Sequence, residues 1–328
     1  MASEGVWTDF LESIPSRWSV RFWTAWAIAG CALLLYAAWT DPVTGPLFGV
    51  LSAYGAPPWL IRFVLSPLSV VARGILIVEA FGYVYHRFFQ HLGWLTRRSA
   101  VMRRNQMYHW IHHMVIYPIG RFYRRAMPYV DSEDGIAWSW VVPAVLACAA
   151  APATMGWRWS TLLFAASIAG YAKLIVETAH ERFHLVRHPW MNSAYYQWLE
   201  KIHLLHHWDQ RNNFTIVHPM MDALFGTYLS PRTHARELKV AMEDAELTAS
   251  DLINWRYLLK EATPAEYAAF ISQARRHSPS VRKLDRLLAT FQERLETHPQ
   301  DREARELYAR TRELARLVRV PGSQAVAA

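Results

Sequence analysis

His109-Trp110-Ile111-His112-His113 and His203-Leu204-Leu205-His206-His207 carry the same pattern, H-x2-H-H. Each follows a second pair of histidines: His86 and His91 (H-x4-H) precede the first, and His180 and His184 (H-x3-H) precede the other. These four clusters hold ten of the chain's 15 histidines. Neutral imidazole is the commonest protein ligand for a transition metal, and offsets of three and four put ring nitrogens on one helix face. His86 and His91, five apart, need their helix to loosen before both can point at one centre. Ten ligands are more than one ion can hold, so the pattern implies two metals. The clusters sit at the ends of apolar, membrane-length segments. The fold expected is therefore all-α: an integral membrane helical bundle of about four transmembrane spans, with a cytoplasmic, histidine-lined di-metal cap and a C-terminal helical tail.

Composition supports a membrane setting. Of the 328 residues 52% are hydrophobic, and 16 Trp, 15 Tyr and 14 Phe are typical of spans with aromatic girdles. The net charge of +8 is concentrated beside the apolar runs. Arg97, Arg98, Arg103, Arg104, Arg121, Arg124 and Arg125 fall in one stretch without an acidic residue, as a face against anionic lipid would read, and nucleic-acid binding is not expected. Arginine outnumbers lysine thirty to five, which suits a GC-rich bacterial genome and an inner (cytoplasmic) membrane location. Cys31 and Cys148 lie inside apolar runs and read as small span residues. Met1 to Trp18 shows no cleavable signal, so the first span would direct its own insertion.

Along the chain, Trp18 to Trp39 is about the ~20 residues a bilayer core requires. Leu47 to Leu60 is apolar but broken by Gly55, Pro57 and Pro58. A second span is expected from Ser66 to Phe89, with Pro67 in its first turn and Arg73 and Glu79 turned inward. Trp138 to Ala153 and Trp159 to Val176 read as a hairpin that crosses and returns, bringing His180 to the side of His113. Three parts follow: 1–65 with the first span, 66–230 as the catalytic membrane domain, and 231–328 as a cytoplasmic helical extension. In the last part Thr263-Pro264-Ala265-Glu266 reads as a capping box, and Ser280 and Asp301 as further helix starts.

An all-imidazole set suits iron, copper or zinc. Glu177, Glu181 and Glu200 each stand three residues before a clustered histidine and could accept its far ring N–H, although pairing of Glu177 with Lys173 reads equally well. His188, His234, His277 and His298 have no neighbour at ligand spacing and read as ordinary imidazoles.

The order H-x4-H, H-x2-H-H, apolar hairpin, H-x3-H, H-x2-H-H resembles the fatty acid hydroxylase/sterol desaturase superfamily of integral-membrane di-iron enzymes. The likeness spans about residues 66 to 230 and continues in Asn212-Asn213-Phe214 and Asp222-Ala223-Leu224-Phe225-Gly226-Thr227, with Thr215 where a glycine is usual. It implies two non-haem irons as cofactors and O2 as co-substrate. The ten clustered histidines would be the ligands, with no further catalytic residue. Asn213, His218 and Asp222 join the three glutamates as groups behind those ligands. The implied reaction is attack on an unactivated C–H bond of a membrane lipid, as hydroxylation or, alternatively, desaturation. No G-x-G-x-x-G, P-loop, haem or iron–sulfur cysteine motif is present, so electrons would come from an external ferredoxin or cytochrome-type donor. Two readings from other classes are a bis-histidine haem cytochrome and a non-enzymatic membrane metal carrier or store. Both fit poorly with three-histidine clusters at span ends and none in mid-span.

Overall fold

The apolar runs do become helices, and the helices converge on the histidine clusters. A computed structural model describes residues 17–91, 99–117, 136–185, 188–235, 258–259, 262–277 and 281–318. These residues form an all-helical structure. Five of the seven arginines, Arg97, Arg98, Arg121, Arg124 and Arg125, lie outside them, as do Ser280 and the N-terminal 16 residues.

Helix α1 (Arg17–Thr40) is followed by α2 (Thr44–Ala53), and the two are bent by 57° at Asp41, whose φ is +55°. The ambiguous stretch after Pro46 is thus helical in its first half. Helix α3 runs unbroken over Pro58–His91, starting eight residues before the expected Ser66. Pro67 is interior to it. A proline there removes a backbone donor and crowds the preceding turn. The π-helical turn Ile61–Leu65 just before it widens the backbone, so the helix continues past the proline. Helix α4 (Ala100–Ile111) runs on through a π turn, His112–Ile116. Helix α5 (Ile136–Met155) turns at Gly156 (φ +76°) into α6, which spans Trp159–Phe183. Helix α7 is Ala194–Trp208 and α8 the short Met220–Leu224. The tail supplies α9 (Pro264–His277), α10 (Val281–Thr297) and α11 (Arg302–Val318).

By length and composition α3 and α6 can each cross a membrane, and the bent α1–α2 pair makes a third if it is one span. In α5 the described apolar helix, Pro143–Met155, is shorter. Helices α3 and α6 pack closely: a Cβ on Gly74 would fall 1.8 Å from the Ser167 hydroxyl oxygen, so any larger residue there would force Ser167 to move. Two charged groups of α3, Arg73 and Glu79, are partnered within the bundle. Arg73 pairs with Asp41 at 3.2 Å, and buried Glu79 accepts a 2.5 Å hydrogen bond from the Tyr171 hydroxyl. Each is partnered, which is the condition for carrying such groups at bilayer depth.

The tail packs on the reverse side of the ligand-bearing helix α4. Met107, Trp110 and Ile111 share one apolar core with Phe270 of α9, Leu284, Leu287 and Phe291 of α10, and Leu307 and Leu314 of α11. The expected capping box is present: the Thr263 N–H donates to Glu266 Oε2 at 2.7 Å, and the Glu266 N–H donates to Thr263 Oγ1 at 3.3 Å. The same carboxylate takes Arg103 of α4 in a two-pronged bond, both arms 2.9 Å. Burial raises the Glu266 pKa, but the Arg103 and Thr263 bonds outweigh it and hold the group below its ordinary value. A depressed carboxylate pKa stabilises the fold above the unfolded value, and that stabilisation fades as pH falls through the folded one. Alanine at Arg103 or Glu266 is expected to cost about 1 kcal/mol after solvent screening, and the double variant little more than either. A thermal-melt double-mutant cycle at pH 7 and again at pH 3 checks this; the coupling should shrink at the lower pH.

Candidate metal centre

Nine of the ten clustered histidines gather into two groups, each with its ligand atoms within 4.8 Å of one another. The first comprises His86, His91, His109, His113 and His206; the second comprises His112, His180, His184 and His203. His207, the tenth, lies between them. Its ring centroid is 4.0 Å from that of His113 in the first group and 4.8 and 4.9 Å from those of His203 and His184 in the second.

Local backbone form explains how each ligand reaches its group. His86 and His91 occupy the π-helical end of α3, Tyr85–His91. A π turn closes i to i+5, so residues five apart stack on one face, which an α-helix would not allow. Helix α4 divides its ligands: His109 and His113, four apart, face the first group, and His112 faces the second. Helix α7 does likewise, sending His206 to the first and His203 to the second. Each H-x2-H-H motif thus contributes to both groups. Three imidazoles on one helix arc fan too widely to meet at one point, and the two groups divide them. The second group also joins His112 to His180 and His184, so the α5–α6 hairpin does return the chain to the same end of the bundle.

Ring orientation is set by backbone carbonyls. His86 Nδ1–H donates to the Phe214 carbonyl at 2.5 Å, His206 Nδ1–H to that of Asn212 at 2.6 Å, and His207 Nδ1–H to that of Tyr117 at 2.8 Å. A carbonyl can only accept, so each of these rings carries its proton on Nδ1 and turns the Nε2 lone pair inward. In the first group Nε2 atoms approach one another at 2.8 Å (His109–His91), 3.0 Å (His86–His109 and His113–His109) and 3.2 Å (His91–His206). In the second, His203 and His184 Nε2 are 3.3 Å apart. Two nitrogens each about 2.1 Å from a shared ion, at right angles or a little wider, stand about 3 Å apart. The residues present therefore fit a metal in each group.

Burial drives the pKa values of His109, His112, His113, His203 and His207 well below the ordinary imidazole value, and neighbouring imidazoles push the same way. Burial likewise takes His206 down to about 4, against the opposing pull of the Asn212 carbonyl. Rings held neutral are rings ready to bind metal.

The loop behind the first group depends on Asp222, which is fully buried on α8. Its Oδ1 accepts from the Phe214 N–H and the Thr227 hydroxyl, both at 2.8 Å. Its Oδ2 accepts from the Thr215 N–H at 2.9 Å and from the Thr215 hydroxyl. Thr215 thus uses its side chain in the turn, and its φ is not in the left-handed region, so no glycine is required there. Asn213 does adopt that region (φ +54°); its side chain bonds Leu229 at both the N–H and the carbonyl. His218 is exposed on the same loop. Glu177 pairs with Lys173, and Glu181 and Glu200 lie half-buried on α6 and α7. The carbonyls of Phe214, Asn212 and Tyr117 were not anticipated, because a main-chain acceptor leaves no trace in residue type. Tyr117 also stacks on His184 with centroids 4.0 Å apart.

Comparison of the chain with protein-family models, with curated proteins and with solved structures gives no match.

Proposed function

We propose that the protein is a membrane-bound non-haem di-iron monooxygenase that hydroxylates a C–H bond of a lipid. The observation that carries this reading is the pair of adjacent, buried, all-imidazole groups at the ends of helices apolar enough to cross a membrane. Two irons held there would activate O2 for attack on an unactivated C–H bond. The first would be held by His86, His91, His109, His113 and His206, the second by His112, His180, His184 and His203, with His207 between. The chain itself keeps the rings neutral by burial, fixes their tautomers through three carbonyls, and surrounds them with apolar helices that exclude water and admit an apolar substrate. Hydroxylation consumes two electrons besides O2, so a ferredoxin or cytochrome-type donor is part of the proposal. So are a cytoplasmic site and a bacterial inner-membrane location. Desaturation by the same metal pair is the second reading, because the outcome depends on where the reacting carbon sits. A membrane protein that binds metal without catalysis is the third.

Purified gently in lipid, the protein is expected to hold close to two irons per chain, with zinc replacing iron on overexpression. Elemental analysis checks this, and a reproducible content of one metal or none sinks the dinuclear site. Mass spectrometry of lipid extracts after incubation with a reduced ferredoxin under 18O2 then separates the readings. One heavy oxygen gained supports hydroxylation, and two hydrogens lost supports desaturation. Neither change in a fully iron-loaded protein across a broad lipid extract favours the non-catalytic reading.

A further inference from the structure

A cavity of about 360 Å³ opens among the helices that lead into the metal centre. Its walls come from α1 (Leu35), α3 (Val78, Phe81), α5 (Ala144, Ala147) and α6 (Ala172), and every lining residue is apolar. The size lies within the roughly 300–1,000 Å³ range of small-molecule sites. Alanines on two facing helices leave the gap that larger side chains would fill. Leu146, 65% exposed, stands at its rim, so the cavity communicates with the outer, lipid-facing side of the bundle. Its floor, Ile168 and Ala172, belongs to one face of α6. Steps of four continue that face through buried Val176 to His180, a ligand of the second group. The π turn Tyr171–Glu177 keeps these steps in line, since four residues there make slightly less than a full turn, as four in an α-helix make slightly more. At 1.5 Å per residue, Ala172 lies about 12 Å below His180 along the helix.

Resting on the lipid-oxidising reading above, we propose that this cavity binds the methylene chain of a membrane lipid and directs it along the Ile168–Ala172–Val176 face toward the His112–His180 group. No charged group lines the cavity, so a lipid head group has no partner inside it and must remain elsewhere. Two of the helices that enclose it, α3 and α6, are long and apolar enough to cross the bilayer core, where acyl chains are the solvent. The walls act as a ruler: the depth to which the chain enters sets which carbon reaches the metals.

The test uses full-length protein in phosphatidylcholine nanodiscs with palmitic acid carrying a diazirine at its terminal carbon. After irradiation, adducts are expected to concentrate on residues 143–147 and 168–172. Ala147→Trp, which fills the cavity, should reduce those adducts about tenfold, equivalent to ~1.4 kcal/mol of binding, while both metals are retained. Ala147→Leu, a smaller intrusion, serves if the tryptophan variant does not fold, and should reduce them less. Excess unlabelled palmitate should compete. Adducts spread evenly over lipid-facing positions such as Leu33 and Leu68, or unchanged by either substitution, overturn the site, as does competition by a sterol in place of palmitate. Labelling requires neither iron nor turnover. Failure of the oxidation chemistry and failure of the cavity proposal therefore give different results.

Discussion

Alanine at His112, His184 or His206 is expected to bring lipid oxidation to background. Each substitution removes an imidazole whose ring sits in one of the two groups. The second group has four rings, so losing His112 or His184 leaves three. Loss of an outer residue behind a metal ligand typically costs about 10–100-fold in affinity or activity, and loss of a ligand should exceed that. Metal content should fall from two per chain toward one for His112→Ala and His184→Ala, with the first group still loaded. His206→Ala should deplete the first group instead. His218, exposed, and His298, exposed beyond Thr297, should tolerate alanine within about twofold, since neither belongs to a group of ligands. Elemental analysis alongside product yield distinguishes a lost ligand from a lost fold. Activity that survives His112→Ala but not His298→Ala would reverse the assignment.

Asp222→Ala carries the second large effect although this residue touches no metal ligand. Its two oxygens satisfy four donors, from Phe214, Thr215 (twice) and Thr227. Each buried donor left unsatisfied costs about 1–3 kcal/mol, and water admitted to the cavity would recover only part of that. The variant is expected to lose at least about 3 kcal/mol, a size confined to a few destabilising mechanisms. The damage should extend to the metal centre, because the Phe214 carbonyl that orients His86 lies on the peptide unit following the N–H bonded to Asp222. Depletion of the first group is therefore expected while the second stays loaded. Asp222→Asn keeps the shape but turns an N–H2 toward the Thr215 donors, and should fall between the two. A melting temperature within a degree or two of the parent, with both metals present, refutes this role.

Much of the architecture was legible because membrane helices leave strong local signals. Apolar runs of span length announced α1, α3 and α6, and the break between two such runs announced the turn that falls at Gly156 between α5 and α6. The Thr263–Glu266 capping box was readable because its two bonds close within four residues. What failed locally was the beginning of α3, expected at Ser66 with Pro67 in its first turn, when the helix starts at Pro58 and passes straight through that proline. Sequence reasoning assigns a proline to a helix start, and a widened turn that relieves it has no residue signature. The tail's attachment was equally hidden. The starts of α10 and α11 were visible, but not that Met107, Trp110 and Ile111 complete their core.

The sequence by itself determined the chemistry on offer: ten imidazoles at short helical offsets, placed at the ends of apolar segments, supply a donor set that could hold metal whatever the remaining fold. It did so because ligand type and spacing along a helix are local properties. Tertiary structure alone decided how those ligands are shared. His112 and His113 are neighbours in the chain yet face different groups, and His206 joins His86 across 120 residues while His203 joins His180. Partition between two centres depends on where four helices cross, and each crossing is set by packing such as the Gly74–Ser167 contact. Nothing in the spacing of the histidines encodes it.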